Sequence, residues 1–211
     1  MNVSQQTAPE GHPHVDTVLL PFDLREHSNP LASFGNANPL EVEIGCGKGK
    51  FLLARAETHP EVNFLGVDMA WEWMKYGVQR GNKRGLENIR FIKFDGRLVL
   101  KYGIPSESVS VFHIYFPDPW PKRRHRKRRL ITGAFLATLY EKLEPGGLVE
   151  LATDYHDYYV QMREAVPQSG IAWAEERYDN NDRLFDADSK TNYEIKYERA
   201  GRTLHYIELR K

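Results

Sequence analysis

Five apolar runs recur along the chain, and each gives way to an acid or a turn. Leu40 to Ile44 reads as a short strand that stops at Gly45-Cys46-Gly47-Lys48-Gly49. Asn63 to Val67 ends in Asp68, Ile89 to Phe94 in Asp95, Val109 to Tyr115 at a proline-rich turn, and Leu148 to Ala152 at Thr153-Asp154. Between these runs lie stretches of helical character: Phe51 to Glu57, Trp71 to Arg84, and Arg126 to Leu143, the last closed by Pro145-Gly146-Gly147. Strands alternating with helices predict an α/β, Rossmann-like fold with a mostly parallel central sheet and helices on both faces. Two extended stretches near Tyr193 to Tyr197 and Thr203 to Leu209 are expected to finish the sheet as an antiparallel C-terminal pair. A polar loop from Tyr178 to Lys190 precedes them. Residues 1–38 read as a partly flexible extension and residues 39–211 as a single domain, since 211 residues with 41% apolar content suit one core.

In this layout Gly45, Asp68, Asp95, Asp118 and Asp154 all fall at the carboxyl ends of successive strands, where open parallel sheets bind ligands. One acid there can simply cap the next helix; five features in phase point to a site. The glycine turn is spaced G-x-G-x-G, with Lys50 where a dinucleotide fingerprint needs its third glycine. Gly45, Gly47 and Gly49 admit a ligand close to the backbone, so the surrounding charge selects it. Glu43, Asp68 and Asp95 would repel a pyrophosphate and attract the sulfonium and ammonium of S-adenosylmethionine. Asp68 is placed for the ribose hydroxyls, Asp95 for the adenine amino group and Glu43 for the methionine end.

Charge changes the picture at Phe116 to Arg129. Prolines 117, 119 and 121 are expected to push the residues before them toward extended geometry and hold Asp118 and Trp120 in a rigid loop. Directly after it, seven of the eight residues from Lys122 to Arg129 are Lys or Arg. The whole chain balances 29 basic against 29 acidic residues, so the remainder is net acidic. Such a cluster grips a polyanion through counterion release. The one cysteine, Cys46, has no partner for a disulfide or a metal site. No metal is expected, and the polar start from Met1 to His14 reads as that of a cytoplasmic protein with no membrane segment.

Taken together these stretches resemble the bacterial tRNA (guanine-N7-)-methyltransferases, within the class I S-adenosylmethionine-dependent superfamily. The matches are Glu43 to Gly49, Phe116 to Lys122 with Arg124-His125 and Lys127-Arg128-Arg129, Ala152-Thr153-Asp154, and Thr191-Asn192-Tyr193-Glu194 followed by Gly201. The proline turn with its basic extension is more specific than the glycine loop. The resemblance implies methyl transfer to N7 of a guanosine in the tRNA variable loop, with tRNA as partner, acting as a monomer or homodimer. Glu43, Asp68, Asp95 and Asp118 match cofactor-binding acids, and Asp118 also matches the residue regarded as catalytic. Lys122, Asp154 and Thr191 to Glu194 match substrate-binding positions, and the basic residues Arg124, His125, Lys127, Arg128 and Arg129 join them. Two departures stand out: Asp68 where the family often has Glu, and Asn192-Tyr193 where it has Lys-Phe.

N7 of guanine carries a free lone pair, so methylation there requires no general base; alignment and stabilisation of positive charge suffice. Asp118 suits both tasks, with Asp154 and Glu194 as further acceptors for the guanine edge. His125 reads as a neutral donor to phosphate among its cations. Trp120 is open to two uses, as a packed anchor of the loop or as a stacking surface for an extruded base. Trp71 and Trp73, like Tyr155, Tyr158 and Tyr159, are expected to pack within helices. Competing functions are an RNA amino-methyltransferase and a non-catalytic RNA-binding protein on a methyltransferase fold.

Overall fold

The computed structural model describes residues 19–23, 29–180 and 189–211. The elements, in chain order, are β1 (Leu19–Leu20), β2 (Leu40–Ile44), α1 (Lys50–Thr58), β3 (Asn63–Asp68), α2 (Trp71–Arg84), β4 (Ile89–Lys93), α3 (Gly96–Tyr102) and β5 (Val109–Tyr115). After them come α4 (Gly133–Lys142), β6 (Leu143–Thr153), α5 (His156–Gln168), β7 (Glu175–Asn180), α6 (Asn192–Arg199) and β8 (His205–Arg210). Eight strands form one sheet in the order β1-β4-β3-β2-β5-β6-β8-β7. Pairing is parallel from β1 through β6, and β8 is antiparallel to both β6 and β7.

Alternation along the strands divides the core in two. Val42, Leu65, Phe112 and Ile114 meet Leu136, Leu139 and Tyr158 on the face covered by α3, α4 and α5. On the other face Phe64 and Phe91 pack with Phe51, Leu52 and Met74 of α1 and α2. Gly49 caps α1 in the left-handed region at φ 63°, and a Cβ there would lie 2.8 Å from the Phe91 ring. Glycine is therefore required both by backbone conformation and by space.

Several expected elements shift. The helix expected from Arg126 begins only at Gly133, capped by the Thr132 hydroxyl, while Arg123–Arg128 forms a 3-10 turn. Consecutive like charges oppose one another at i and i+4 of an α-helix, so the basic segment does not extend α4. Pro145-Gly146-Gly147 lies inside β6, which starts at Leu143, with a register shift between Val109 and Val111 of the neighbouring strand. Tyr193 to Tyr197 is helical, not extended: Thr191 and Glu194 close a capping box that starts α6. The antiparallel pair exists, but the partner of β8 is Glu175–Asn180. Of the loop expected from Tyr178 to Lys190, the first three residues belong to β7 and residues 181–188 lie outside the described residues. Met1 to His14 lies outside them too.

Candidate active site

The carboxyl ends of β2, β3 and β5 open onto a cleft of two connected lobes. The larger, about 880 Å³, is lined by Gly45, Gly47, Asp68, Asp118, Trp120 and Arg128, with Lys127 beside them. The smaller, about 250 Å³, has buried Glu43 and Cys46 in its wall and Lys48, Asn192 and Tyr193 at its rim. Gly45, Gly47, Trp73, Tyr115 and Tyr193 border both. One continuous space thus joins the glycine turn to the proline loop.

The glycine turn is held open by its own backbone. Gly45 and Gly47 have φ of 85° and 51°, and nothing lies within 4 Å of a Cβ built on either, so a ligand can lie against the peptide planes. Asp68 ties this turn to α2, accepting from the amides of Gly47 and Ala70 at 2.8 Å each. Burial pushes the Cys46 thiol up, and the charges of Glu43 and Asp68 add to the effect, so the thiol is inert beside the turn. Glu43 and Asp68 place two carboxylates at the glycine turn, among the cations Lys48 and Lys50 of the smaller lobe, and these carboxylates attract a cationic ligand group. Asp95 stands apart: it caps α3 through the Arg97 amide at 2.9 Å and pairs with the Arg97 guanidinium at 3.2 Å. Arg97, not Asp95, lines the cleft.

The proline loop is rigid for a different reason than its prolines alone supply. Phe116 and Trp120, each preceding a proline, adopt φ of 51° and 41°, so the expectation of extended geometry fails at both. Non-glycine residues in this region store strain, which surrounding contacts must hold. The Phe116 amide donates to the Ala152 carbonyl at 2.8 Å, and its ring packs against Tyr197 and Tyr193. Trp120 is half-buried between Arg128, whose guanidinium sits 4.9 Å from the ring centre, and the edge of His125. Arg129 fixes the loop from below: its Nε donates to the Pro119 carbonyl at 2.8 Å, and its Nη atoms reach Gln161 and Asp157. Asp118 itself remains exposed at the cleft.

The substrate residues read from the sequence divide. Lys122, Arg124, Lys127 and Arg128 are exposed, and Arg124 donates to the His125 ring at 3.2 Å. Arg129, by contrast, is only 2% exposed, and its phosphate-binding role is withdrawn in favour of positioning the loop. Thr191 and Glu194 are also turned inward: the Glu194 carboxylate accepts from the Thr191 amide at 2.6 Å and the Tyr206 hydroxyl at 3.1 Å. Both serve the cap of α6, which carries Asn192 and Tyr193 to the cleft, and Thr191 itself borders the smaller lobe. Asp154 pairs with Arg202 and lines neither lobe. Tyr158 and Tyr159 are core residues as expected, whereas Trp71 and Trp73 leave 37% and 48% of their surface to solvent.

Tyr115 was concealed in the sequence as the last residue of an apolar run. Its ring lines the cleft while its hydroxyl donates to Glu150 and contacts His113 Nδ1 at 2.8 Å. His113 Nε2 meets Glu41 at 2.9 Å, and Arg55 grips Glu41 with two bonds of 2.7 and 2.8 Å. A buried polar chain from α1 across β2, β5 and β6 thereby seats the ring.

Comparison with known proteins defines a methyltransferase class. The fold resembles an antibiotic-related methyltransferase with TM-score 0.59 at 16% identity, covering 93% of this chain and 97% of that one. It also resembles a 16S rRNA (adenine(1408)-N(1))-methyltransferase from Catenulisporales acidiphilia, with TM-score 0.57, 16% identity, and coverage of 90% and 92%. A family model described as "Putative methyltransferase" matches residues 37–207. A tRNA (guanine-N(7)-)-methyltransferase of Geobacter metallireducens is 35% identical over 196 residues, 92% of each chain. One from Rubrobacter xylanophilus is 36% identical over 176 residues, 83% of this chain and 78% of that one. This chain belongs to the tRNA (guanine-N(7)-)-methyltransferase family.

Proposed function

We propose that the protein binds S-adenosylmethionine over the Gly45–Gly47 turn and methylates N7 of a guanosine in the variable loop of tRNA, a substrate of the cytoplasm. The observation that carries this reading is the single cleft in which Asp68 and the open glycine turn face Asp118, Trp120, Lys127 and Arg128. When bound, S-adenosylmethionine supplies an electrophilic methyl carbon on a sulfonium sulfur. Glu43 and Asp68 offer carboxylates to its ammonium and ribose ends, and Gly45 and Gly47 leave room for close approach.

The reaction moves a methyl group and no proton. N7 contributes its lone pair, the carbon–sulfur bond breaks with its electrons going to sulfur, and the guanine ring becomes cationic. Asp118, exposed at the mouth of the cleft, accepts from donors on the guanine edge and stabilises that developing charge. Trp120 offers the extruded base one face, with Arg128 on the same ring supporting the phosphates. The strained backbone at Phe116 and Trp120 is held by Arg129, so the carboxylate is positioned before substrate arrives.

The test is methyl transfer from labelled S-adenosylmethionine to unmodified tRNA transcripts, followed by digestion and mass spectrometry against nucleoside standards. N7-methylguanosine in the variable loop is the expected product. A methylated adenosine or cytidine would move the protein to the amino-methyltransferases, and binding of RNA without cofactor binding would make it a non-catalytic RNA-binding protein.

A further inference from the structure

Helix α2 turns a face to solvent that begins at the border of the cleft and extends beyond it. Met74, Gly77, Val78 and Gly81 are buried, while Trp73, Tyr76 and Arg80 recur at three- and four-residue spacing on the exposed side. Trp73 is 48% exposed and Tyr76 39%. Cations accompany these rings: Lys48 of the glycine turn holds its ammonium 5.0 Å from the Trp73 ring centre and 5.6 Å from that of Tyr76, and Lys75 lies 5.3 Å from Tyr76. Trp73 also borders the cavity that contains Asp118 and Trp120. The stripe therefore starts at the cleft as aromatic faces and continues along the helix as positive charge.

We propose that this stripe is a second RNA-binding surface, on which one or two unpaired bases adjacent to the target guanosine stack against Trp73 and Tyr76 while Lys48, Lys75 and Arg80 meet their phosphates. The inference rests on the RNA reading above and extends it to a part of the surface away from the basic turn. Aromatic faces interleaved with cations match a single strand, because every base has a stacking face and every nucleotide a phosphate. Extruding the target base also deprives its neighbours of a stacking partner, and the Trp73 ring, at the border of the same cavity, supplies one.

The decisive measurement compares Trp73→Ala, Trp73→Phe, Tyr76→Ala and Lys48→Ala with the wild type, reading tRNA affinity by filter binding and S-adenosylhomocysteine affinity by calorimetry. Trp73→Ala should weaken tRNA binding about tenfold, with most of the loss restored in Trp73→Phe, because the contact is a stacking face. Lys48→Ala should reduce the salt slope of tRNA binding by about 0.7 to 0.9. Tyr76→Ala, whose ring lines neither lobe of the cleft, should also weaken tRNA binding while S-adenosylhomocysteine affinity stays within about twofold. Wild-type tRNA affinity in Trp73→Ala, alongside normal N7-methylguanosine formation by the parent enzyme, would overturn the stripe and leave the function standing. A parallel loss of S-adenosylhomocysteine binding would reassign Trp73 to the cofactor, and failure of the wild type to bind tRNA would remove both proposals.

Discussion

Arg128 leaves its guanidinium against the Trp120 ring at the edge of the cleft, whereas Arg129, next in the chain, buries its own against Pro119, Gln161 and Asp157. A run of cations in a sequence cannot show which members turn inward, because that depends on acceptors contributed by α5, 28 and 32 residues away. Arg128→Ala should lower the log–log salt slope of tRNA binding by about one contact, roughly 0.9, with thermal stability unchanged. Arg129→Ala should leave that slope alone and cost about 2 kcal/mol of stability, since the Pro119 carbonyl, Gln161 and Asp157 lose their donor; a melting curve beside a salt titration separates the two. Asp118 has no such structural duty. Asp118→Asn should cut turnover about 100-fold while tRNA affinity stays near that of the wild type, because a preorganised charge acts chiefly on the transition state. Single-turnover rates with saturating cofactor would read this, and unchanged rates would remove Asp118 from the reaction.

Elements were legible where their apolar periodicity was strong. Val109–Tyr115 and Trp71–Arg84 stand where the sequence places them, since each presents a continuous or helically spaced buried set. The errors cluster at the C-terminal edge of the sheet. Glu175–Asn180 carries no apolar alternation because it is an edge strand with both faces largely wet, so nothing in its composition distinguishes it from a loop. For α6 the signal was present as Thr191-x-x-Glu194 but was outweighed by the aromatic and β-branched residues that follow. This cap matters to the site because α6 brings Tyr193 to the cleft and against Phe116. Thr191→Ala should destabilise the protein by about 1 kcal/mol. The same variant should raise the Michaelis constant for tRNA more than it lowers the maximal rate, which steady-state kinetics at two cofactor concentrations would show.

Across the whole molecule, function and stability meet in the polar chain beneath the cleft. It begins at Arg55 of α1, passes through Glu41, His113 and Tyr115, and ends at Glu150 of β6, so it crosses three adjacent parallel strands and holds on its way the Tyr115 ring that lines the site. Burial alone would push the Glu41 carboxyl up, but His113 and Arg55 outweigh it and bring it down to about 2 from 4.5. A carboxylate lowered on folding contributes stability that is fully present above its unfolded value and is lost as pH falls through its folded one. The difference corresponds to about 3 kcal/mol at neutral pH. Glu208 on β8 works in the opposite sense: burial and the charge of Glu150 raise its pKa, so protonating it in mild acid favours the fold. His205, whose pKa burial and the neighbouring His156 lower, costs stability as pH falls and opposes Glu208, so stability measured by denaturant unfolding should stay nearly level from pH 7 toward pH 5 and fall steeply between about 4.5 and 2. Glu41→Gln should lower stability at pH 7 by about 3 to 5 kcal/mol, because Arg55 is left buried without its counter-charge, and should flatten the acid limb of the curve. An acid limb as steep in Glu41→Gln as in the wild type would mean that other carboxylates, not this chain of groups, govern acid unfolding.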